Sequence, residues 1–313
     1  MESISRQKVI TLNMFSKAHT RAFYFAIIVV SGIAFSKDKG VYSAPNKRRI
    51  KMQERFTGNY FQWLKDELTG IEPFAWTLYG FGVGLNTMSY VSAPITWLST
   101  VAYVAILFGF ACTVAMAAKG WKRFVDKNYM TKERLVVGRS INGLLGAVSV
   151  IGYIIVNVSA GHWWSVIDQL VFFFAIDLGL IINWRTWGRG KNATVKDPTI
   201  IQWLVIVLAI IVSWGVLYPL GVLLNDSQPV IDALVLAIGG VASVLYVKRF
   251  AGTYYLWLFS NFINLLLWFG ALKDGLTPVA LSMLVMTMLY LVSSIYGRIN
   301  FSSKNNNKVR SLK

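Results

Sequence analysis

"YYLWLFSNFINLLLWFGAL", residues 254–272, is apolar enough to cross a bilayer, yet it carries two asparagines and two tryptophans. On a helix turning about 100° per residue, Trp257, Asn261, Asn264 and Trp268 recur at intervals of four, three and four and fall within an arc of about 60°. They form one polar, aromatic stripe. Asn142, Gly146, Ser149 and Tyr153 repeat the spacing in an earlier apolar run, and Phe173, Asp177 and Trp184 extend it to a third. Two readings compete for each residue. Asn and Ser join membrane helices by hydrogen bonds worth ~0.6 kcal/mol, and Trp marks the headgroup belt; the same side chains can instead line a site. Asp177 weighs toward a site, because a mid-span carboxylate costs several kcal/mol unless it is paired or protonated. Asp168 lies near the start of the same run on its opposite side and reads as an interfacial or capping residue.

Outward from that stretch, the 313 residues are 55% hydrophobic and only 14% charged, the profile of an integral membrane protein of all-α class. Eight apolar runs are predicted to span, at about 72–92, 96–118, 135–157, 163–184, 200–223, 230–247, 254–272 and 277–296. Each approaches the roughly 20 residues a helix needs to cross the hydrocarbon. Two histidines and the single Cys112 are too few for a structural metal cluster or a disulfide framework, and no cofactor is expected.

The formal charge of +17 would suit nucleic acid, but its distribution argues for topology. Basic residues are dense before the first span, around 119–134, around 185–196, at Lys248 and Arg249, and in the tail 301–313; the alternate connections carry Lys273 alone. That alternation is the positive-inside pattern of a plasma-membrane protein with both termini in the cytoplasm. The basic loops also suit anionic lipid headgroups, and nucleic acid is not expected as a partner.

Residues 22–35 are apolar but too short to span, and residues 1–51 read as an extension, with Met52 as a start. Residues 52–71 read as an amphipathic interfacial segment, Phe61 and Trp63 facing lipid beside Lys65, Asp66 and Glu67. The membrane-spanning part is read as 72–300. Within it, residues 114–179 and 244–297 share an order: a span ending in a basic turn, a span with an early Asn, a Gly-containing connection and a third span. This pairs Asn142 with Asn261 and divides the chain into a repeat at about 96–184, a linker helix at 200–223 and a second repeat at about 230–296. An odd number of spans between two three-span units leaves them parallel, an architecture in which substrate sits between the repeats near the midplane. The run 72–92 is an extra N-terminal helix.

"AAKGW", "GRSIN", "DQLVFFFAIDLGLIINW" and "DALVLAIGGVASVLYVKRFAGTYYLWLFSN" resemble the PnuC family of bacterial vitamin transporters, over about residues 60–300. The resemblance implies an Asp opening the sixth span (Asp232), a basic pair closing it (Lys248 and Arg249) and a Trp four residues before an Asn (Trp257 and Asn261). It implies a SWEET-like three-plus-one-plus-three fold, a homotrimer, and facilitated diffusion of nicotinamide riboside made one-way by phosphorylation inside the cell. It also leaves open thiamine, riboflavin or deoxynucleosides as cargo. The chain departs from the pattern in two places. Asp177 stands where a Gln is expected, and Tyr254 where a Trp often begins the "WLLW" pattern.

The expected substrate contacts are therefore Asn142, Phe173, Asp177, Trp184, Trp257, Asn261, Asn264 and Trp268. Trp faces attract cations, and Asn side chains pair with hydroxyls and amides. ATP coupling is disfavoured because "GRGKNAT", residues 188–194, lacks the spacing of a phosphate loop. An intramembrane enzyme would need paired carboxylates or several metal ligands, whereas Asp168 and Asp177 face opposite ways and both His19 and His162 fall outside the spans.

Overall fold

A computed structural model describes residues 56, 58–92, 94–119, 138–160, 163–188, 195–225, 228–273 and 278–301, without the side chains of 160, 267, 268, 270–273 and 278–283. The expectations for 1–51, the "GRGKNAT" segment, most of the tail and the Trp268 side chain lie outside these residues. Among the described residues the protein is helical, with isolated bridges such as Lys196 to Phe250 in place of strands.

α1 is Tyr60–Thr69, α2 Pro73–Val91, α3 Trp97–Ala117 and α4 Asn142–Ala160. α5 is Trp163–Ile182, α6 Ile200–Leu223, α7 Pro229–Val247, α8 Gly252–Lys273 and α9 Pro278–Asn300. The helix starts follow local chemistry. Asn59 with Gln62, Thr96 with Ser99, and Thr199 with Gln202 close capping boxes that satisfy otherwise unpaired N–H groups. Proline opens α2, α7 and α9, where its missing N–H costs nothing. Asp232 lies in the first turn of α7, as its sequence position suggests, where the helix dipole favours a carboxylate.

Among the described residues a long helix overlaps each apolar run, and five of these helices, α3 to α7, are long and apolar enough to cross a membrane. α2, α8 and α9 are long enough but carry Asn, Ser, Thr and Tyr through their length. One boundary moves. The third run begins as a helix at Asn142 rather than near 135, because Gly138 has a φ of 80° and the chain there folds back onto α3. Gly138 N–H donates to Ala118 O at 2.8 Å and Arg139 N–H to Ala115 O at 3.0 Å. A side chain at Gly138 would also meet the Trp187 ring at 2.9 Å.

Among the described residues, Pro198–Val241 form one compact unit, while the residues up to Asp197 and from Ala242 onward form another. In the second unit α3 packs along α4, α2 and α9, while α8 packs along α9 and α4 along α5. Its core joins Met116, Ile176, Leu180, Trp187, Tyr246, Tyr254 and Phe301, with Cys112, Val247 and Trp257 against it.

α1 corrects the expected lipid-facing pair. Phe61 is exposed, but Trp63 is only 2% exposed and Glu67 is buried with it. Trp63 lies two positions after Phe61, about 200° of helical turn, whereas Trp63 and Glu67 share a face.

Candidate functional site

Asn142, in the first turn of α4, is fully buried. Its Nδ2 donates to the Tyr246 hydroxyl at 2.8 Å, while its Oδ1 has no hydrogen-bond partner among the described residues. A buried unpaired carbonyl carries a desolvation penalty of about 1–3 kcal/mol, which any donor brought to it would relieve. The Tyr246 and Tyr254 hydroxyls both donate to Met116 O near the end of α3, at 3.4 and 2.8 Å. Trp257 packs on both rings, with centroids at 5.6 Å from Tyr246 and, edge-on, 5.2 Å from Tyr254.

Asp177 reaches the same face of α4 one turn further on. It closes a π-helical turn, Phe173–Asp177, inside α5, and is 4% exposed. A Cβ at Gly146 would stand 2.6 Å from the Asp177 Cγ, so only glycine lets the carboxylate lie against α4. Asn142 and Gly146 are one turn apart and share that face. Cys112 of α3 lies at the Gly146 backbone, within electrostatic reach of Asp177. Arg139 pairs with Glu67, and among the described residues no ion pair forms at Asp177. No group of metal-ligating residues occurs there either.

The remaining expected residues divide. Asn261 follows Trp257 by one turn and donates from Nδ2 to Ser294 Oγ of α9 at 2.9 Å, and Asn264 is half-buried beyond it. Phe173 is half-buried in the π turn, edge-on to Phe174 at 5.3 Å. Ser149 donates to Ala105 O at 2.7 Å and so joins α4 to α3. Trp184 stands elsewhere: it follows the end of α5 and packs on Trp63 at 5.2 Å and Tyr60 at 5.7 Å, with the Arg185 guanidinium 4.7 Å away. α5 ends at Ile182 and Asn183 leaves the helical conformation, with a φ of −97° and a ψ of 19°, so the arc projected through Phe173 and Asp177 does not extend to Trp184.

Tyr246 and Gly146 shape the site although neither stands in the stripe of α8. Tyr246 lies in an apolar run near a basic turn, where a tyrosine reads as a belt residue, and Gly146 was noted only for its spacing. Beyond them, the Arg249 guanidinium is buried over the faces of Trp187 and Phe301, at 4.7 and 5.1 Å, and burial lowers its pKa to about 10. The Trp187 indole donates to Val247 O at 3.0 Å.

The arrangement brings together a buried carboxyl group, an unpaired carbonyl acceptor and an aromatic wall. Comparison with known proteins agrees with a carrier. The chain is 26% identical to a nicotinamide riboside transporter PnuC from Neisseria mucosa over 270 residues, which cover 84% of this chain and 94% of that protein. It is similar in fold to a crystal structure of the vitamin B3 transporter PnuC, with a TM-score of 0.57 and 24% identity over 80% of this chain and 100% of that one. The family model described as nicotinamide mononucleotide transporter matches residues 134–303, a span that includes every candidate residue above. With more than half its length matched, the chain belongs to the nicotinamide mononucleotide transporter family, whose members carry a substrate across a membrane rather than transform it.

Proposed function

We propose that this protein carries nicotinamide riboside across the plasma membrane by facilitated diffusion, with the substrate held by Asn142, Asp177, Trp257, Asn261 and Asn264. The observation that carries the choice of cargo is the buried Asp177 carboxylate, packed on Gly146 with no ion pair among the described residues. The pyridinium of nicotinamide riboside supplies the missing cation. A mononucleotide would add a phosphate of the same sign as Asp177 to a poorly solvated region, where like charges are strongly disfavoured. Trp257 offers a π-face to the cationic ring, and the Asn142 carbonyl an acceptor for a ribose hydroxyl or the carboxamide N–H. The name of the curated relative supports the same cargo.

Around this site, the eight long helices are read as eight spans with both termini cytoplasmic, supported by the alternation of basic loops. α3 to α5 and α7 to α9 form parallel repeats joined by α6, in a SWEET-like arrangement. α1 lies at the interface with Phe61 and Lys65 toward lipid. Phosphorylation inside the cell holds the product there, and the working unit is a homotrimer.

The test is uptake of labelled nicotinamide riboside into liposomes containing the purified protein, with thiamine, riboflavin, deoxynucleosides and the mononucleotide as competitors. Saturable equilibration blocked by unlabelled nicotinamide riboside and weakened in Asn142→Ala supports the assignment. Flux competed instead by another of these compounds would replace the cargo.

A further inference from the structure

Three residues immediately before Asn142 are each bound to α1. Arg139 donates from Nη2 to the carbonyls of Asp66 and Glu67, at 2.6 and 3.3 Å. Ser140 Oγ accepts from the Trp63 indole at 3.0 Å. The Ile141 N–H donates to Glu67 Oε2 at 3.3 Å, and the same oxygen lies 3.4 Å from Arg139 Nε. Trp63, Glu67, Ser140 and Ile141 are all nearly excluded from solvent.

This grip is electrostatically matched at both ends. The start of α4 presents unpaired N–H groups and the positive end of a helix dipole, and Glu67 brings a carboxylate to it. The end of α1 presents its last carbonyls, of which Asp66 O also accepts from the Gly70 N–H, and the negative end of its dipole, and Arg139 brings a guanidinium to them. Each helix end is satisfied by a charge from the other segment, so the two move as one body. The next residue in the chain is Asn142, fully buried, whose 2.8 Å bond to Tyr246 tolerates little displacement.

We infer that Glu67 is a positioning residue for the transport site: it fixes the first turn of α4 against α1 and thereby holds the Asn142 carboxamide toward the substrate. The inference rests on Asn142 being a substrate contact. It gives α1 a role that the stripes within the membrane do not, since a contact outside the spans sets the geometry inside them.

The experiment uses the full chain in lipid nanodiscs and compares wild type, Glu67→Ala, Glu67→Gln and, as an exposed control on α1, Lys65→Gln. Two quantities are read: the dissociation constant for nicotinamide riboside, and amide hydrogen exchange across 139–146 relative to 257–264. In Glu67→Ala, exchange rises in 139–146 but not in 257–264, and affinity falls about tenfold, the scale of losing one charge-assisted hydrogen bond. Glu67→Gln keeps an acceptor and recovers most of both, and Lys65→Gln matches wild type. Raised exchange with unchanged affinity would overturn the positioning role, as would unchanged exchange in Glu67→Ala. If wild type itself binds no nicotinamide riboside, the cargo assignment fails. The exchange comparison then still decides whether Glu67 holds the turn that carries Asn142.

Discussion

The Tyr254 hydroxyl donates to the Met116 carbonyl at 2.8 Å, tying the first turn of α8 to the last turn of α3. The final carbonyls of a helix have no partner within it. Here they are met by side chains from three later helices: Tyr246 of α7 and Tyr254 of α8 at Met116 O, and Asn300 of α9, whose Nδ2 donates to Ala117 O at 3.0 Å. The end of α3 is thus the knot that brings Asn142, by way of Tyr246, to the same place as Trp257.

The two tyrosines should be separable by mutation. Tyr254→Phe leaves Met116 O with its longer Tyr246 contact and costs about 1 kcal/mol of stability, with substrate affinity changed less than threefold. Tyr246→Phe removes the acceptor of the buried Asn142 amide, costs about 1–3 kcal/mol and frees that carboxamide to turn. Thermal unfolding and nicotinamide riboside titration on the purified variants would show it: a larger loss of stability in Tyr246→Phe, and a marked loss of affinity in that variant alone.

Gly146→Ala should close the site from the other side. Its methyl would stand 2.6 Å from the Asp177 Cγ, forcing the carboxylate away from α4 against a packed π turn, and overpacking of this kind costs about 1–3 kcal/mol. Uptake should fall at least tenfold. Gly84→Ala in α2 provides the contrast, because nothing lies within 4 Å of its added Cβ and helix propensity favours Ala by about 0.5–1 kcal/mol. Uptake should match wild type in Gly84→Ala.

Much of this was legible in advance, and the exceptions have physical causes. Apolar runs located the long helices because hydrophobic length is the strongest signal a membrane imposes. The start of α4 was misplaced because Gly138 and the α1 contacts of Arg139, Ser140 and Ile141 hold that segment outside the helix, and those contacts span about seventy residues of sequence. Asp177 stood out because a mid-span carboxylate is expensive. α5 ends at Ile182 with no Gly or Pro beside it to mark the stop, so a constant 100° period places Trp184 on an arc it does not occupy. Trp63 reads as a lipid anchor from its sequence position, but its indole bonds Ser140, a partner 77 residues away that helix periodicity does not reveal.

Asp177→Asn tests charge apart from shape. The amide keeps the size of the carboxylate but not its attraction for a cation, so discrimination between cationic nicotinamide riboside and its neutral dihydro form should collapse. A loss of roughly 1–2 kcal/mol in the desolvated pair corresponds to about five- to thirtyfold in relative KM. Competition assays with the two forms, run on wild type and variant liposomes, measure the ratio directly. An unchanged ratio would remove Asp177 from the recognition of charge.

Glu72 predicts a stability effect away from the substrate. It precedes α2, is 9% exposed, and its Oε1 accepts from the Lys119 N–H at 3.1 Å, from Asn300 Nδ2 at 3.4 Å and from the Tyr296 hydroxyl. One carboxylate oxygen therefore joins the start of α2, the segment after α3 and the last turns of α9. Glu72→Ala leaves three donors without it, and removing a shared buried acceptor should cost about 3–5 kcal/mol. Glu72→Gln retains a carbonyl acceptor and should lose less than half of that. Unfolding of both variants in detergent gives the order, with Asn300→Ala, which also abandons Ala117 O, falling between them. Because Glu72 contacts none of the candidate substrate residues, whatever Glu72→Gln protein folds should retain wild-type affinity for nicotinamide riboside. Wild-type stability in Glu72→Ala would show that this junction does not hold the helix ends together.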